Sequence, residues 1–496
     1  MIRELLLGID IGTTSVKGLL VDVQGQPVAQ SRQEYSTSYL RDGWVEQNPN
    51  EWWNTVKKVI RELIAKSGVS PECIKAVGVG GHGSAALPID EKGKYLRPAI
   101  IWMDKRAQEE CREISKYAGE AINRINKYQI IPLRLEPKIL WIRKHEKEIY
   151  NKTYKFISPT GYVNFKLTNN LTVNYSDGGL YLAYDPVRRN WSEDICASLN
   201  ISRKLYPDIV ESHQIIGTIS DKASLETGLA VKTPVVGGGE DTSSGALGAG
   251  VVSPGQVYAE MGTGSNVGVC IRDNLCHSNF LVFPHVIPGF FLLNAQIVDT
   301  GYVMKWASYS LLCNGEIPSV DEEPSGMIFL PYIGGQVHPI YDQYAKGVIA
   351  GISIASTKER LIKAVMEGCG YSMLENIDAI RDFGVGISEI RITGGVANNP
   401  VWLQINADIT GLVILVPEII EGSLLGNAIL SAVGIKLFPD VNRAVKSMVR
   451  INRKIKPRLN FSKRYQKYYV IYKKLLKEMR EVFCQLDDLA HVKKEK

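Results

Sequence analysis

Two apolar runs near the N-terminus predict a β-hairpin. Leu5–Asp10 and Lys17–Val23 have the composition of strands, and the Gly/Thr sequence between them is typical of a tight turn. Residues 48–68, NPNEWWNTVKKVIRELIAKSG, carry apolar side chains at helical spacing, with Asn50 as the expected N-cap. Residues 74–83, IKAVGVGGHG, indicate a buried strand that runs into a glycine-rich loop. A hairpin, a helix and a strand in this order predict an α/β domain.

The second half of the chain repeats the hairpin pattern. Residues 254–273, PGQVYAEMGTGSNVGVCIRD, again read as two strands around a Gly-Thr turn, so MGTGS echoes the earlier DIGTTS. Matched positions in the two halves predict duplicated domains that face each other across a cleft. The chain has 496 residues, and single domains seldom exceed roughly 250–300, which also favours two large domains. We expect domains over residues 1–250 and 251–450, followed by a basic helical tail over residues 451–496 packed by its Tyr, Leu and Val face.

Composition narrows the class of protein. Hydrophobic residues make up 45% of the chain and charged residues 22%, as in ordinary globular proteins. The net charge of +6 comes from scattered Lys and Arg, so nucleic acid is not an expected partner. The 8 cysteines form no CxxC pair, which predicts reduced thiols and a cytoplasmic location. Neither a signal-peptide pattern nor an apolar run of about 20 residues is present, so no membrane segment is expected.

The turn after the first strand has the chemistry of a phosphate site. An ionised Asp10 at the end of a buried strand is costly unless a cation or partner lies nearby. A turn of small residues exposes N–H groups and hydroxyls that suit phosphate oxygens, which makes residues 12–14 phosphate candidates. Asp10 would then lie near Mg²⁺ carried by the phosphates, and Lys17 faces either the same anion or solvent. The alternative is a plain β-turn. No GxxxxGK[ST] sequence is present.

A second unusual acid lies in residues 235–250, VVGGGEDTSSGALGAG. Asp241 sits where a strand ends and a helix of small residues begins, so substrate can approach its carboxylate closely. A carboxylate in this position can accept the proton of a substrate hydroxyl as that oxygen attacks phosphorus. Asp is also a favoured helix cap, and Glu240 is the alternative for either role.

Residues 392–400, ITGGVANNP, predict a strand, a Gly-Gly turn and a helix. Gly394 and Gly395 leave room for a flat ligand or a ribose against the backbone. Asn398 and Asn399 can cap the helix or hydrogen-bond a base, and a plain βα turn with an Asn cap is an equal alternative. Residues 421–432, EGSLLGNAILSA, are a third nucleotide candidate, with simple helix packing as the alternative.

These motifs together resemble the FGGY carbohydrate kinase family, which has the actin-like, ribonuclease H-like ATPase fold. The resemblance covers nearly the whole chain, through LGIDIGTTSVKG, the W-x-EQ-x-P-x-x-WW element, LRPAIIWMDKRA, GGGEDTSSGALGAG, EMGTGS, FLPYIGG, RITGGVANNP and EGSLLGNAIL. It implies an α/β protein with two such domains facing across a nucleotide and substrate cleft. It also implies phosphoryl transfer from ATP, with Mg²⁺, to a sugar or polyol hydroxyl, and a homodimer.

The resemblance assigns expected roles residue by residue. Asp10 is expected near the metal ion, and Asp241 is expected to be the catalytic base. The ATP contacts it implies are Gly12, Thr13, Thr14, Lys17, Gly262, Thr263, Gly264, Gly394, Gly395 and Asn398.

The sugar is less well defined. Where xylulokinases tend to have Gln-Met-His and glycerol kinases Gln-Arg-Glu, this chain has His82-Gly83-Ser84. The missing Arg-Glu pair argues against glycerol, and the missing Gln-Met-His sequence argues against a strict xylulokinase. A loop of the form Gly-His-Gly resembles a branch of the family that acts on ketopentoses such as L-xylulose or on polyols. His82, Asp104 and Arg106, together with Asp241, are the expected substrate contacts. The alternatives are a His82 that satisfies only its loop and a structural Asp104–Arg106 ion pair. The family's SGER sequence is also replaced, here by residues 334–337, GGQV.

The leading hypothesis is a kinase for a ketopentose, similar to xylulokinase. Kinases for L-xylulose, erythritol or another polyol, gluconate or glycerol are alternatives within the same class. A nucleotide-dependent regulatory switch on the same fold is the non-enzymatic alternative, and an ATPase or phosphatase without a sugar substrate is a further one.

Overall fold

The computed structural model describes residues 4–262, 264–272, 280–298, 300–311 and 323–492. In the first half, the strands are β1 Leu5–Ile11, β2 Ser15–Asp22, β3 Pro27–Glu34, β4 Ser38–Arg41, β5 Trp44–Gln47, β6 Ile74–Gly81, β7 Leu87–Ile89, β8 Ala99–Ile100, β9 Lys155–Ile157, β10 Thr172–Asn174, β11 Tyr184–Asp185, β12 Asn190–Trp191, β13 Asp208–Val210, β14 Ile215–Thr218 and β15 Pro234–Val236.

The helices of the first half are α1 Pro49–Ser67, α2 Gln108–Ile125, α3 Leu135–His145, α4 Lys147–Lys152, α5 Pro159–Thr168, α6 Tyr175–Gly178, α7 Glu193–Ser198, α8 Asp221–Thr227 and α9 Asp241–Gly248. In the second half, the strands are β16 Val257–Met261, β17 Ser265–Ile271, β18 Leu281–Pro284, β19 Phe291–Gln296, β20 Ile328–Pro331, β21 Gly347–Ala350, β22 Glu389–Thr393, β23 Val413–Pro417 and β24 Ile451–Ile455. The helices are α10 Thr300–Ser310, α11 Lys358–Arg381, α12 Pro400–Thr410, α13 Gly422–Gly434, α14 Val441–Met448 and α15 Leu459–Val492.

The predicted hairpin and the following elements are confirmed. β1 is buried along its full length and pairs antiparallel with β2 and parallel with β6. α1 covers the sheet with a face that includes Trp52, Val56 and Ile60. The predicted cap is wrong by two residues: the Asn48 side chain accepts from the Asn50 amide, and the helix begins at Pro49, whose fixed φ suits a first helical turn.

The two halves repeat one topology. The first sheet has the order β14-β15-β6-β1-β2-β3, and the second has the order β18-β19-β17-β16-β22-β23-β24. Each centres on a hairpin, β1–β2 or β16–β17, whose first strand pairs in parallel with a later strand, β6 or β22. In each sheet a further strand, β15 or β23, then pairs in parallel with β6 or β22. That strand also pairs antiparallel with β14 in the first sheet and with β24 in the second. The duplication predicted from DIGTTS and MGTGS is therefore present in the fold.

Helix α13 packs across the boundary predicted at residue 250. It lies against α9 and the β1–β6 surface, and its apolar side chains share one core with Leu6, Ala76 and Leu247. The helices approach at backbone distance: a Cβ on Gly426 would lie 2.0 Å from the Ser244 carbonyl oxygen. The interpretation of residues 421–432 as close helix packing thus holds for this segment.

The segment from residue 451 is not a separate helical tail. It begins with β24, which pairs with β23 at the edge of the second sheet. The long helix α15 then buries Tyr465, Tyr472 and Phe483 in the second-half core, while Val470 stays 63% exposed. The predicted Tyr and Leu face is present, and this valine is not part of it.

Candidate active site

The turn between β1 and β2 lies at the C-terminal end of β1, an interior strand of the first sheet. The Gly12 amide donates to the Ser15 carbonyl at 3.0 Å, and the Tyr35 hydroxyl donates to the Gly12 carbonyl. The Thr13 hydroxyl accepts from Trp102 Nε1 at 3.1 Å, and the Thr14 carbonyl accepts from the Tyr35 amide at 3.2 Å. The shape of the turn is fixed by these neighbours and not by the hairpin alone.

Asp10 and Lys17 face each other across the hairpin as register partners. Lys17 is not an unpaired cation: its Nζ lies 2.5 Å from Glu421 Oε2, and the two side chains are 23% and 29% exposed. Glu421 directly precedes α13, so this ion pair joins the first-half hairpin to the second half of the chain.

The surroundings of Asp10 suit a divalent cation. Asp10 is 6% exposed, and its Oδ1 has no hydrogen-bond partner among the described residues. Burial raises the pKa of Asp10 to about 7, the Asp241 carboxylate adds to the rise, and Lys17 opposes it. No three His, Cys, Asp or Glu side chains of the described residues are arranged to hold a metal ion by themselves. Mg²⁺ is usually held by one or two carboxylates with substrate phosphates and water, and Asp10 fits that mode.

The predicted sugar loop, residues 82–84, is buried and held on several sides. The His82 amide donates to the Ile11 carbonyl at 3.0 Å, next to the phosphate turn. Ser84 has φ of 57°, in the left-handed region. Its carbonyl accepts from Lys138 Nζ at 2.6 Å, and Lys138 also donates to the Leu133 carbonyl at 2.6 Å. Burial lowers the pKa of Lys138 to about 7, with Asp104 and Glu136 opposing.

Asp104 and Arg106 form the structural ion pair that was the alternative to substrate contact. Arg106 Nε and Nη2 both donate to the Asp104 carboxylate, with Nη2 2.8 Å from Oδ2. Arg106 Nη1 lies 2.8 Å from Glu46 Oε1, and the guanidinium sits 3.8 Å and 4.9 Å from the ring centroids of Trp44 and Trp141. The Arg106 side chain is 0% exposed and the Asp104 side chain 1% exposed. This geometry supports a structural role for the pair.

The two acids of the GGGED motif separate into a cap and a first-turn residue. Glu240 is the N-cap of α9, and its side chain accepts from the Ser243 amide at 2.8 Å. Burial raises the pKa of Glu240 well above its usual range, and the Asp241 carboxylate adds to the rise. Asp241 is the first residue of α9 and is half-buried, with Oδ1 accepting from the Thr242 amide at 2.7 Å. The capping alternative therefore applies to Glu240, and the Asp241 carboxylate lies close enough to Asp10 and His82 to act on the pKa of both.

Gly262 begins the loop that corresponds, in the second half, to the predicted phosphate turn of residues 12–14. Its carbonyl accepts from the Gly301 amide at 2.8 Å, at the start of α10, and from Ser265 Oγ at 3.1 Å. Gly264 is exposed, and no atom lies within 4 Å of the position that a Cβ would occupy there. Thr263 lies outside the described residues. The contact from Gly301 was missed because a single glycine in the first turn of a helix carries no distinctive pattern.

The Gly-Gly turn after β22 adjoins this loop. Gly394 has φ of 80°, and a Cβ there would lie 2.8 Å from the Met261 carbonyl oxygen, so only glycine fits without strain. Gly395 and Asn398 are exposed. Asn399 caps α12 by accepting from the Trp402 amide at 3.0 Å, which leaves Asn398 as the asparagine of the pair that faces solvent.

Two further acids were missed from the sequence. Asp177 is fully buried below the sugar loop, where a Cβ on Gly83 would lie 3.0 Å from its Oδ1. Burial raises the pKa of Asp177 to about 7. Glu260 precedes the second Gly-Thr turn and is exposed, and the Asp241 and Asp10 carboxylates lie within electrostatic range of it. The acid inside AEMGTGS was the available signal for Glu260.

The replaced SGER sequence has a local explanation. Gln336 stands where the family has glutamate, and its Nε2 donates to Glu375 Oε2 at 3.2 Å and to the Tyr332 hydroxyl at 3.4 Å. Burial already raises the pKa of Glu375. A second carboxylate at position 336 would add repulsion here, which the Gln336 amide avoids.

Comparisons with known proteins agree with this architecture. The N-terminal domain of the FGGY family of carbohydrate kinases matches residues 5–248, and its C-terminal domain matches residues 257–435. The xylulose kinase of Staphylococcus epidermidis is 30% identical over 496 aligned residues, covering 98% of this chain and 99% of that protein. The structures of a xylulose kinase and a gluconate kinase from Lactobacillus acidophilus each superpose with a TM-score of 0.88 at 20% identity. They cover 97% and 98% of this chain and 100% of each of those chains.

The chain belongs to the FGGY family of carbohydrate kinases. It is an ATP-dependent kinase that acts on a small-molecule sugar, built on the actin-like, two-domain α/β fold. Among the described helices, none combines the length and the apolar character needed to cross a membrane.

Proposed function

We propose that this kinase phosphorylates a ketopentose, with xylulose as the leading substrate. The 30% identity to a xylulose kinase over nearly the full length of both chains supports this choice. The Gln-Arg-Glu sequence of glycerol kinases is absent, and His82-Gly83-Ser84 occupies its place. The equal structural similarity to a gluconate kinase reflects the shared fold, since that likeness is at 20% identity.

Asp241 is the proposed general base. The observation that supports this role is that the Asp241 charge acts on two residues at once. It acts on the pKa of Asp10, beside the proposed phosphate turn, and on the pKa of His82, in the proposed sugar loop. A carboxylate there can take the proton of the attacking hydroxyl while the γ-phosphoryl group is transferred in line. His82 holds the sugar, and the buried Asp104–Arg106 ion pair has a structural role.

The nucleotide contacts are proposed for both sides of the cleft. Residues 12–14 would bind phosphate oxygens from the first half, with Lys17 nearby. Gly262, Thr263 and Gly264 would do so from the second half, and Gly394, Gly395 and Asn398 would line the adenosine. Asp10 would hold Mg²⁺ together with the phosphates, and this cation would neutralise charge that develops on the transferred group. Domain approach over the bound substrates would exclude water and limit ATP hydrolysis. A cytoplasmic location and a homodimer are part of this proposal.

ADP release from Mg-ATP against a panel of small molecules tests the proposed substrate. The panel contains ketopentoses, pentitols, tetritols, glycerol and gluconate, with a sample lacking any sugar as background. We expect one ketopentose to give a kcat/KM at least about tenfold above the other classes, a ratio worth about 1.4 kcal/mol of transition-state discrimination. Preference for gluconate or glycerol would contradict the proposed substrate. Release that no compound raises above background would contradict the proposed ketopentose substrate and point to a sugar outside the panel.

A further inference from the structure

One glutamine connects the sugar loop to the phosphate turn. Gln47, the last residue of β5, is 1% exposed. Its Nε2 donates to the Thr13 carbonyl at 2.7 Å and to Thr37 Oγ1 at 2.9 Å. Its Oε1 accepts from Trp52 Nε1 at 2.9 Å and lies 3.1 Å from His82 Nε2. Both amide hydrogens and both lone pairs of Gln47 are thereby engaged.

The orientation of this amide follows from the chemistry of its neighbours. The Trp52 indole N–H can only donate, so the Gln47 atom that faces it is the oxygen. The Thr13 carbonyl can only accept, so the atom that faces it is the nitrogen. Exchanging the oxygen and nitrogen would set two donors against each other at Trp52 and two acceptors against each other at Thr13. The assignment of Oε1 to the His82 side is therefore unique.

We propose that Gln47 is a positioning residue that fixes His82 as the Nε2–H tautomer and leaves the Nδ1 lone pair as the acceptor for a substrate hydroxyl. This inference rests on the proposed sugar site. Because Oε1 is an acceptor, His82 Nε2 must carry the hydrogen to form their contact, and a neutral imidazole then has a bare Nδ1. Nδ1 is buried and forms no hydrogen bond of ordinary geometry with a described residue, although the Gly83 backbone lies near the ring.

The surroundings keep this ring neutral and fixed. His82 is 2% exposed, and burial lowers its pKa to about 4, against the opposing effects of Asp241 and the Gly83 backbone. Trp52 packs edge-on to the imidazole, with ring centroids 6.0 Å apart and an interplanar angle of 77°. A neutral ring in one orientation presents a single hydrogen-bonding character to the substrate.

The tautomer sets which substrate group is accepted at His82. A hydroxyl can donate to the Nδ1 lone pair, whereas a carboxylate or ketone oxygen would face it acceptor to acceptor. A site whose buried polar atom stays unpaired rejects the wrong ligand more strongly than an apolar pocket does. His82 therefore selects a hydroxyl of the ketopentose and disfavours the carboxylate of gluconate at the same position.

The Gln47 amide also connects the proposed phosphate turn to the proposed sugar contact. Its Nε2 holds the Thr13 carbonyl within the proposed phosphate turn, and its Oε1 holds the ring of the proposed sugar contact. Gln47 thus keeps the sugar loop and the phosphate turn in one relative position, which in-line transfer requires.

Nitrogen-15 NMR of the imidazoles tests the tautomer without any turnover. The protein is labelled with ¹⁵N-histidine and measured in the absence of ligands at pH 7, and the His82 signals among its 7 histidines are identified by their loss in His82→Asn. We expect the chemical shifts and couplings of a neutral ring protonated at Nε2. A ring protonated at Nδ1, which would direct that hydrogen toward the Gly83 backbone, or an imidazolium would overturn the inference.

Two substitutions at Gln47 test the positioning role. Gln47→Leu removes every contact, so we expect the sugar KM to rise about 10- to 100-fold. Gln47→Glu places a carboxylate beside His82 Nε2, which favours an imidazolium with a hydrogen on Nδ1, so we expect the sugar KM to rise and the His82 ¹⁵N signals to become those of a charged ring. An unchanged sugar KM in Gln47→Leu would overturn the positioning role.

Thr37→Val serves as the matched control. It removes one acceptor of Gln47 on the donor side and leaves the contacts to Trp52 and His82 in place. We expect the Nε2–H signals and the sugar KM to be retained, and a changed tautomer would count against the inference. Because the NMR readout needs no substrate, a correct tautomer in a protein that phosphorylates no ketopentose would show that the proposed function, and not the geometry, had failed.

Discussion

Lys17 Nζ lies 2.5 Å from Glu421 Oε2, and this ion pair ties the hairpin next to the proposed phosphate turn to the residue that precedes α13. Asp10 is the register partner of Lys17 in the same hairpin. Lys17, one of the proposed nucleotide contacts, is thus already paired with a carboxylate, and a nucleotide that bound it would compete with Glu421 for it.

This relationship predicts opposite effects of two substitutions. Glu421→Gln frees the Lys17 ammonium, so the ATP KM should fall by about two- to fivefold, in line with a partly exposed ion pair. Lys17→Met removes the cation and should raise the ATP KM. Initial-rate kinetics at fixed sugar measure both. A rise of similar size in both variants would mean that the pair acts only as a structural link.

Gly83→Ala should damage the sugar loop. Its Cβ would lie 2.3 Å from Leu180 Cδ1 and 3.0 Å from Asp177 Oδ1. We expect a loss of about 1–3 kcal/mol in the free energy of unfolding and a raised sugar KM. Gly119→Ala in α2 is the control, since no atom lies within 4 Å of its Cβ position, and it should stabilise by about 0.5–1 kcal/mol. Equal stability of the two variants would contradict this packing.

Arg106→Leu should unfold the protein more readily without a specific effect on the sugar. The substitution leaves Asp104 as an unpaired buried charge, which costs about 3–5 kcal/mol. Arg106→Lys keeps the charge but loses the two-point contact and the position over Trp44, so a smaller loss is expected. Denaturant titrations and sugar KM values check both variants. A raised KM at unchanged stability would return Arg106 to the sugar contacts.

The neutral His82 predicts a pH-dependent contribution to stability. Its pKa is lowered to about 4 in the folded protein from 6.5, so between these values the unfolded chain binds a proton that the native state does not. The native state therefore loses stability as pH falls from 6.5 toward 4, by up to about 3 kcal/mol from this residue. Urea unfolding of the wild type and His82→Gln at pH 7, 5.5 and 4.5 should show their difference changing by about 2 kcal/mol over this range. Parallel pH profiles would contradict a neutral His82.

Many elements of the fold were predictable from local sequence patterns. The hairpin around Gly12, helix α1 and the strand before His82 were predictable because hydrophobic periodicity and turn-forming residues determine structure within a few residues. The repeat of a Gly-Thr turn was enough to predict two related domains. The cap at Asn48 was missed because two asparagines flank Pro49, and only backbone geometry distinguishes them.

Long-range packing was not predictable from local pattern. The return of α13 to the first-half sheet, where Asn427 Nδ2 donates to the Ile9 carbonyl at 3.1 Å, joins residues far apart in the chain. The four contacts of Gln47 and the buried Asp177 likewise depend on elements that meet only in the folded protein. For Asp104 and Arg106 the sequence left two roles open, because spacing alone cannot distinguish an ion pair from a substrate contact.

The most direct test of the proposed mechanism compares two neighbouring acids. Asp241→Asn removes the proposed base, whereas Glu240→Gln changes a cap residue whose raised pKa already favours the protonated form and whose contact to the Ser243 amide a glutamine can keep.

The measurement is ketopentose-dependent ADP release under saturating Mg-ATP, with unfolding of each variant as a check on its fold. We predict that Asp241→Asn lowers kcat by about 10²–10⁴-fold, while Glu240→Gln stays within about threefold of wild type. An Asp241→Asn protein that turns over at near wild-type rate, or a Glu240→Gln protein that fails to the same degree, would contradict Asp241 as the base.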